Sequence, residues 1–380
     1  MIYLDNAATS FPKPAECLRR ALERYLQLGA SPGRGGYDRA VEAEAAVAVV
    51  RRKLCRFFGA DKNYRVCFAY NATDALNLLL QGLLQPGDHV VSSRLEHNSV
   101  LRPLHHLQSQ GRIRFDLVPF SPDGFVDPAQ VSAAIQPATR LVILTHASNV
   151  LGTVQPAQDI AAVCRERGVP LVLDVSQSAG SIPIRLKDWG AQGLAFTGHK
   201  ALLGPTGIGG LVLGPDLDLE PTRFGGTGVD SRSPYQTREY PYRLEAGTIN
   251  LLGILGLEES LDYVERSYSA AYAREMALAE KLRDGLQVLP RLRLYAADRL
   301  DNHLPVLTCT LEKRRSEDIG AILDGDYGIA VRAGLHCAPF VHQELGTLEK
   351  GAVRLSLGPF TTEAEIDAAV AAMATVAGRI

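Results

Sequence analysis

A lysine with the setting of a Schiff-base residue follows an apolar run in the middle of the chain. The run ends at residue 196 and leads into Thr-Gly-His-Lys, in which the lysine is Lys200. A lysine among small residues just past a strand can be partly desolvated, which lowers its pKa, and an amine that forms a Schiff base needs this. Thr197 and His199 could contact an anion beside it. A lone lysine of this kind is more often a surface charge, so the interpretation depends on the motifs around it.

The second motif is a carboxylate at the end of a predicted buried strand. Residues 171–177 read Leu-Val-Leu-Asp-Val-Ser-Gln and place Asp174 26 residues before Lys200. A buried carboxylate is costly unless a cation or a proton donor pairs with it. The protonated pyridine nitrogen of pyridoxal 5′-phosphate (PLP) is such a partner, and this pairing makes the ring an electron sink. An isolated aspartate here would by default be a helix cap or a turn residue.

Two further motifs suit the other parts of such a cofactor. Asn-Ala-Thr at residues 71–73 follows an apolar run and opens a helical pattern, and helix N-termini with a Thr hydroxyl bind phosphate. Glu-His-Asn-Ser at residues 96–99 places His97 after another apolar run, where the imidazole could stack on a planar ring. Taken singly, the first motif also fits a plain Thr cap and the second a polar loop residue.

The elements that would position these motifs are seven short runs rich in Val, Ile, Leu and Phe, bounded by Gly, Pro, Asp or Asn. They cover residues 65–70, 89–93, 114–119, 141–146, 170–175, 193–196 and 209–213. Helical patterns such as 73–84 and 157–167 separate them. Apolar strands alternating with helices predict a mostly parallel sheet covered on both faces. Ligands bind such sheets beyond the carboxyl ends of the strands, which is where the motifs stand.

The rest of the chain predicts a second, smaller domain. Residues 215–250 are irregular and rich in Gly, Arg, Tyr and Pro, as functional or interface segments often are. Beyond them the pattern predicts a helix over 251–286 with a break near 267–269, strands over 306–311 and 353–356, and a helix over 362–376 that opens with a capping box. We therefore expect a large domain over residues 15–255 and a small domain made of residues 1–14 and 256–380.

Composition narrows the class of protein and its partners. The chain has 380 residues, is 46% hydrophobic and 22% charged, and has a formal net charge of −2. These values are typical of a soluble globular protein and give no broad electrostatic reason for binding nucleic acid or a membrane. No apolar run reaches the roughly 18 residues that span a bilayer, and the N-terminus lacks the pattern of a signal peptide. A cytoplasmic location is expected.

The six cysteines are scattered without a Cys-x-x-Cys pair, so in a reducing compartment we expect thiols. Five of them are interpreted as small buried hydrophobes: Cys17, Cys55, Cys67, Cys164 and Cys309. Cys337 differs because Gly, Ala and Pro flank it and Arg332 and His336 stand close enough in sequence to favour a thiolate. The residues alone leave a structural and a nucleophilic Cys337 equally open.

In this order on successive strand ends, the motifs make the sequence similar to the cysteine desulfurases of the class V aminotransferase superfamily, especially the SufS-like branch. The resemblance runs nearly end to end. Its most specific segments are Thr197-Gly-His-Lys200, Asp174-x-x-Gln177, Glu245-Ala-Gly-Thr248-x-Asn250 and Arg332-Ala-Gly-Leu-His-Cys337-Ala-Pro. It implies an α/β protein of PLP-dependent fold type I, with a mostly parallel seven-stranded sheet flanked by helices and a smaller α+β domain.

The resemblance also implies a role for each matching residue. The expected catalytic residues are Lys200, which would carry PLP, Cys337, which would accept sulfur, and His97, which would stack on the ring. The expected cofactor contacts are Asp174 at the pyridine nitrogen, Gln177 at the phenolic oxygen, and Ala72, Thr73, Thr197, His199 and Thr248 at the phosphate. Thr248 would come from the other subunit, which implies a homodimer. The expected substrate contacts are Asn149, Arg332 and Arg354, and an arginine fork suits a carboxylate.

The implied activity is conversion of L-cysteine to L-alanine, with a persulfide on Cys337 and transfer of the sulfur to an acceptor, which could be a protein. The nearest alternative is a selenocysteine lyase or another C–S lyase of the same fold, which would not need Cys337. A transaminase leaves the Cys337 motif unexplained. A catalytically idle scaffold is disfavoured by the intact set of Lys200, Asp174, Gln177 and Arg354.

Three features depart from the SufS-like pattern. Asn98 stands where that branch has a second histidine, Leu335 precedes His336, and residues 225–245 are slightly fewer than in the matching stretch. The cysteine lies only 17 residues before Arg354, which predicts a short, ordered loop. We expect these changes to leave the PLP site intact and to bear on the sulfur acceptor and the substrate.

Overall fold

The computed structural model describes residues 1–33 and 35–378. Residue 34 of the predicted large domain and residues 379–380 of the predicted small domain lie outside the described residues. The strands are β1 (Ile2–Tyr3), β2 (Arg65–Ala69), β3 (His89–Ser93), β4 (Arg114–Val118), β5 (Thr139–Thr145), β6 (Leu171–Asp174), β7 (Gly193–Thr197), β8 (Gly209–Leu213), β9 (Leu292–Tyr295), β10 (Val306–Leu311), β11 (Ile329–Ala330), β12 (Arg332–Gly334) and β13 (Ala352–Ser356). The helices are α1 (Ala15–Leu28), α2 (Asp38–Phe57), α3 (Ala72–Leu83), α4 (Asn98–Ser109), α5 (Pro128–Ala134), α6 (Ala157–Glu166), α7 (Leu186–Trp189), α8 (Leu251–Gln287), α9 (Ser316–Tyr327), α10 (Pro339–Glu344) and α11 (Glu363–Gly378).

The central sheet has seven strands in the order β2-β8-β7-β6-β5-β3-β4, one for each of the predicted apolar runs. Only β8 is antiparallel to its neighbours, so the other six strands share one direction. Every residue of β3, β6, β7 and β8 is buried, which is why these strands read as continuous apolar runs and not as alternating ones. The mostly parallel seven-stranded sheet is confirmed.

Helices cover both faces of this sheet. On one face α2, α6 and the first turns of α8 contribute Val50, Leu54, Ile160 and Leu255 to a core cluster with the sheet residue Leu173. On the other face α3 and α4 pack against the sheet through a second cluster whose members include Leu76, Leu79, Leu80 and Leu104. The predicted flanking helices are therefore present on each side.

A smaller antiparallel sheet follows in the order β12-β13-β10-β9, and β1 pairs with β11 beside it. Its core joins α9, α11 and the last turns of α8 to the sheet. The sequence pattern predicted β10 and β13 but not β1, β9, β11 or β12, which have only two to four residues each. Runs this short carry too few alternations to stand out from loops.

The predicted break near residues 267–269 is wrong, because α8 is one continuous helix of 37 residues. Ser267, which lies at the predicted break, is accommodated in the helix because its hydroxyl donates to the carbonyl of Tyr263, four residues earlier, at 3.1 Å. The capping box is confirmed. The Thr362 amide donates to the Glu365 carboxylate at 2.8 Å, and the Glu365 amide donates back to the Thr362 hydroxyl at 3.3 Å.

Within the described residues, no helix combines the length and the apolar character needed to cross a membrane.

The turn after β6 packs closely against the backbone that follows Lys200. Gly180 has φ +93°, and a Cβ added there would lie 2.4 Å from the backbone carbonyl carbon of Ala201, the residue after Lys200. A side chain at residue 180 is therefore disfavoured both by the backbone angle and by the close contact with the backbone of Ala201.

We expect Gly180→Ala to destabilise the fold more than an alanine at a glycine with only the angular constraint. Gly87 has φ +95° and nothing within 4 Å of the position that a Cβ would take, so Gly87→Ala is the matched control. Because of the clash, Gly180→Ala should lower the free energy of unfolding by about 2 kcal/mol more than Gly87→Ala does. Denaturant titration of both variants measures this difference. Equal losses would show that residues 180 and 201 can separate freely.

Candidate active site

The carboxyl ends of five of the six same-direction strands, β2, β3, β5, β6 and β7, meet at a cavity of about 280 Å³. Twelve of the thirteen residues predicted for the site line it: Ala72, Thr73, His97, Asn149, Asp174, Gln177, Thr197, His199, Lys200, Arg332, Cys337 and Arg354. They come from both sheets and from five different strand ends. The thirteenth, Thr248, does not line this cavity.

Lys200 lies in the turn after β7, and the N-terminal segment holds its backbone. The Ser10 hydroxyl donates to the Lys200 carbonyl at 2.9 Å, and the Lys13 ammonium donates to the His199 carbonyl at 2.8 Å. Burial lowers the pKa of the Lys200 amine to about 8, while nearby Asp174 acts in the opposite direction and Arg354 adds to the lowering. The amine is therefore part neutral near neutral pH, as predicted for a lysine that reacts with a carbonyl.

Asp174 ends β6 with its side chain facing the cavity, and it is 4% exposed. One carboxylate oxygen accepts from the Ser176 amide at 2.9 Å and from the Ser176 hydroxyl. The serine two residues on therefore orients the carboxylate. An oriented, buried carboxylate at the cavity wall suits a protonated ring nitrogen.

The first turn of α3 and the end of β7 form a polar corner suited to an anion. Ala72 and Thr73 are the first two helical residues, and the leading amides of a helix lack intrahelical partners. The Thr197 hydroxyl is buried without a hydrogen-bond partner among the described residues. The dipole of α3, the free amides of its first turn and the unpaired hydroxyl of Thr197 together suit a phosphate. His199 lines the cavity too, but its Nδ1 lies 3.1 Å from the Thr9 hydroxyl.

His97 is fixed in one tautomer by the start of α4. Its Nδ1 accepts from the Ser99 amide at 3.0 Å, so the neutral ring carries its proton on Nε2. Burial first, and then the charge of Lys200, lower the pKa of His97 to about 4. The Ser99 hydroxyl also forms a hydrogen bond with the Thr73 hydroxyl at 2.6 Å, which connects His97 to the first turn of α3. A neutral, fixed imidazole suits stacking on a flat ring.

Gln177 reaches the cavity from the turn after β6. Its amide nitrogen donates to the Ala7 carbonyl at 3.0 Å, which uses one of its two N–H groups. The second N–H remains for a ligand oxygen, so the predicted contact with a phenolic oxygen is compatible with the structure.

Arg354, on β13, is 2% exposed and has two partners that orient its guanidinium. It donates to the Asp5 carboxylate at 2.7 Å and to the Asn149 carbonyl at 2.9 Å, and its Nε is buried without a partner among the described residues. Burial lowers the pKa of Arg354, and Asp5 opposes that shift. An arginine held in this way with a free buried donor can bind a carboxylate in the cavity.

Cys337 is exposed at the rim of the cavity, on the segment between β12 and α10. Its carbonyl accepts from the Asn98 amide at 2.7 Å, and the preceding carbonyl, of His336, accepts from the Asn149 side chain at 2.7 Å. Lys200 and Arg354 are the cations with which its sulfur interacts electrostatically. Cys17, Cys67, Cys164 and Cys309 are buried, as predicted, whereas Cys55 is only half-buried.

The sequence argument that His336 favours a Cys337 thiolate is wrong. His336 lines the cavity, but both of its ring nitrogens are used in hydrogen bonds with His342 and the Arg332 carbonyl, and it is 4% exposed. Burial and the charge of Arg354 lower the pKa of His336 to about 2. A neutral imidazole supplies no positive charge to the neighbouring sulfur.

Thr248 is exposed and lies in a separate depression with Tyr70, Arg223 and Asn250. Its loop is anchored by Glu245, whose carboxylate accepts from both ends of the Arg51 guanidinium at 2.7 Å and from the Phe68 amide at 2.6 Å. Within one subunit Thr248 therefore cannot touch a ligand in the cavity.

Four side chains matter to this geometry and were missed in the sequence. Asp5 holds Arg354, Ser99 fixes His97, and Ser176 orients Asp174. Glu96 is fully buried, accepts from the Ser93 hydroxyl and the Thr145 amide, and joins the ends of β3 and β5. Burial raises the pKa of Glu96 to about 8. Ser99 and Ser176 each follow their partners, His97 and Asp174, by two residues. This spacing is a sequence signal from which both hydrogen bonds could have been predicted.

Comparison with known proteins identifies the family. The sequence model of class-V aminotransferases matches residues 2–369. A probable cysteine desulfurase of Methanothermobacter thermautotrophicus is 33% identical over 99% of this chain and 95% of the relative. A cysteine desulfurase of Pectobacterium atrosepticum is 32% identical over 98% of this chain and 92% of the relative.

Solved structures agree with this placement. The apo structure of a cysteine desulfurase from Thermococcus onnurineus NA1 superposes with a TM-score of 0.92 at 30% identity, over all of this chain and 95% of that one. A cysteine desulfurase of Escherichia coli superposes with a TM-score of 0.86 at 28% identity, over 99% and 94% of the two chains. The chain is a member of the class-V aminotransferase family, and within it of the cysteine desulfurases. The enzymes of this family depend on PLP, and the cavity residues fit that cofactor.

The lowered pKa of Lys200 predicts how PLP attachment to the cofactor-free protein depends on pH. With a pKa of about 8 the neutral fraction of the amine rises roughly fiftyfold between about pH 6 and about pH 8. The rate of covalent attachment, followed by absorbance, should rise in parallel and level off above about pH 9.

N-acetyl-lysine with PLP is the control, and its rate should still be rising at about pH 10. Asp174→Asn should move the plateau to lower pH, because Asp174 raises the pKa of Lys200. A protein rate that climbs like that of the free amine would contradict the assignment of Lys200 as a desolvated amine.

Proposed function

We propose that this enzyme converts L-cysteine to L-alanine and takes the sulfur onto Cys337 as a persulfide. The observation that carries the proposal is one cavity wall holding a lysine of lowered pKa, a buried arginine and an exposed cysteine. A lyase that expels its leaving group directly would need the first two but not the third. The exposed, anchored Cys337 therefore favours the desulfurase over the selenocysteine lyase alternative.

Substrate binding falls to the residues around Arg354. Its unpaired buried Nε–H can donate to the substrate carboxylate together with the remaining side-chain N–H of Asn149, which lies beside it. Arg332, at the exposed side of the cavity, adds a second positive charge at the entrance. An amino acid held in this way by its carboxylate has its Cα turned toward the interior of the cavity, where Lys200 lies.

Proton transfer falls to Lys200. Its Nζ can take the Cα proton of the substrate because burial keeps part of the amine population neutral. Bound PLP supplies an electron sink for the pair left on Cα, with Asp174 at the ring nitrogen, Gln177 at the phenolic oxygen and the α3 corner at the phosphate. His97 covers the ring as a neutral imidazole and so adds no charge next to Lys200.

Sulfur transfer falls to Cys337. Its thiolate attacks the substrate sulfur, so that an S–S bond forms while the C–S bond breaks and its electron pair stays with the substrate carbon. A proton on that carbon then completes alanine, and the persulfide stays on the enzyme. In atoms, one cysteine and one thiol become one alanine and one persulfide, with no external oxidant.

Cys337→Ala separates the two halves of the reaction. The variant should bind PLP and change its absorbance on addition of cysteine as the wild type does, since the cavity residues other than Cys337 are unchanged. Alanine production from cysteine should fall at least about 100-fold, because the nucleophile is gone. The measurement is alanine formed per enzyme, with mass spectrometry of the wild type to detect one added sulfur on Cys337.

Selenocysteine is the matched control substrate, because selenium leaves more readily without a nucleophile. The variant should keep most of its turnover of selenocysteine. Alanine formation from cysteine at the wild-type rate, with no sulfur on Cys337, would place the enzyme among the lyases.

The proposal includes a homodimer in which Thr248 of one subunit contacts the phosphate in the other. The exposed Thr248 loop is held rigidly by the Arg51–Glu245 ion pair, whose carboxylate is buried. Large apolar side chains beside this loop are also exposed, namely Tyr70 at 63% and Phe224 at 73%. Exposed aromatic residues next to a rigid polar loop are typical of a subunit interface.

Mixed dimers test this arrangement. Thr248→Ala alone should weaken PLP binding about tenfold, as expected for loss of a hydrogen bond to a charged group. A dimer of one Lys200→Ala subunit and one Thr248→Ala subunit then has one site with both wild-type residues, if Thr248 acts across the interface. That site should bind PLP as tightly as the wild type, which fluorescence titration of tagged heterodimers can measure.

If Thr248 acts within its own subunit, no site of the mixed dimer is intact and tight binding is absent. A fully active monomer in sedimentation would also contradict the proposal.

We further propose that the persulfide sulfur passes to an acceptor protein in the cytoplasm. Cys337 is the exposed cysteine of the six, so a partner can reach its sulfur. All six cysteines, each within the described residues, are free thiols, which is typical of a reducing compartment.

The division into a large domain over residues 15–255 and a small domain over 1–14 and 256–380 is retained as a proposal. The separate core clusters of the two sheets support it. Because α8 contributes Leu255 and Leu261 to one cluster and Leu278 and Leu282 to the other, we draw the boundary inside this helix.

A further inference from the structure

Two histidines and a threonine form a buried hydrogen-bonded chain behind Cys337. His336 Nδ1 lies 3.2 Å from His342 Nε2, and His342 Nδ1 lies 2.8 Å from the Thr347 hydroxyl. At the other end His336 Nε2 lies 3.2 Å from the Arg332 carbonyl. His342 is 0% exposed and His336 is 4% exposed. The chain thus runs from β12, past the residue before Cys337, to the turn after α10.

The direction of each hydrogen bond in this chain follows from its two ends. The Arg332 carbonyl can only accept, so His336 carries its proton on Nε2 and accepts at Nδ1. His342 must then donate from Nε2 to His336 and accept at Nδ1 from the Thr347 hydroxyl. Every nitrogen of both rings has a partner when both rings are neutral, and a proton added to Nδ1 of His336 breaks its hydrogen bond with His342.

The surroundings keep both rings neutral. Burial is the main cause that lowers the pKa of His336 to about 2 and of His342 to about 4. The charged groups that act on His336 are Arg354 on β13 and Arg332 on β12, and both are cations that disfavour imidazolium. Both rings are therefore neutral near neutral pH.

The segment that this chain supports has an unusual backbone. His336 has φ +49° and Cys337 has φ +57°, a conformation that residues with side chains adopt at a cost of about 1 kcal/mol or more each. Consecutive residues in this region persist only where surrounding contacts hold them. Asn149 and Asn98 hold the two carbonyls, as described above, and the imidazole chain is the contact that holds the side chain of His336.

We propose that His336, His342 and Thr347 are positioning residues for Cys337: the chain holds the left-handed peptide that keeps the thiol over the cavity. This inference rests on the proposed function of Cys337. None of the three side chains is needed for contact with substrate or cofactor in this role. When the chain is broken, the segment relaxes, and the sulfur moves away from the positive charges of Lys200 and Arg354 that favour its attack.

Thr347 gives the cleanest test because Thr347→Ser keeps the hydroxyl and Thr347→Val keeps the shape without it. Thr347→Val should lower kcat for L-cysteine about tenfold and slow alkylation of Cys337 by iodoacetamide about tenfold, as expected for loss of one buried hydrogen bond. KM and PLP affinity should stay within about twofold of wild type, because the cofactor and substrate residues are unchanged. Thr347→Ser should restore both rates.

His342→Gln and His342→Phe form a second pair in case the valine variant fails to fold. Gln can place an N–H where Nε2 stands and keeps the donor to His336, whereas Phe keeps only the ring. We expect Cys337 alkylation in the Gln variant to lie between that of wild type and that of the Phe variant. Nitrogen-15 NMR of the histidines should show both rings neutral at about pH 7, each with its proton on Nε2.

The proposal is overturned if Thr347→Val matches wild type in both kcat and alkylation, if Val and Ser variants are equally impaired, or if either ring is protonated on Nδ1. A parallel loss of PLP affinity and kcat would likewise overturn it, since that pattern means general unfolding of the site. The alkylation rate of Cys337 does not depend on its being the sulfur acceptor. If Cys337→Ala still turns over cysteine, the proposed function fails while the alkylation result for Thr347 still decides the positioning role.

Discussion

The buried guanidinium of Arg354 is the constraint around which the site is arranged. A cation that is 2% exposed is costly unless anions and carbonyls replace its water, and here Asp5 and the Asn149 carbonyl do so. To supply Asp5, the N-terminal segment has to cross from β11 to the lysine turn, where Ser10 then holds the Lys200 carbonyl. To supply its carbonyl, Asn149 has to sit where its side chain also reaches His336. Through Arg354, the turn that carries Lys200, the cavity wall at Asn149 and the segment that carries His336 become parts of one network.

The parts of the site that could be predicted are those that depend on strand direction. Six strands that share a direction must end at one edge, so residues just past predicted strands were bound to meet. Lys200, Asp174, His97 and Asn149 each follow one of these strands, so they lie together at that edge. This prediction needs only the apolar runs and their separation by helices, and both are strong signals in this sequence.

The parts that could not be predicted depend on partners that are distant in sequence or on elements too short to carry a pattern. Asp5 and Arg354 are 349 residues apart, and the sequence around either residue gives no sign that the two form an ion pair. Strands β1 and β11 have two residues each, yet they bring the N-terminal segment into place. His336 shows the opposite error, because closeness in sequence to Cys337 suggested an electrostatic role. Its ring is neutral, because burial and the charges of Arg354 and Arg332 lower its pKa.

Helix α8 has a mechanical consequence. A straight helix of 37 residues is about 55 Å long and resists bending along its whole length, since every turn is braced by its own backbone hydrogen bonds. The first turns of α8 pack in the core of the large sheet, and its last turns pack in the core of the small sheet. A force applied to one half of the molecule is therefore transmitted to the other without a compliant joint in this helix. Neither core can be separated from the other without cutting through α8.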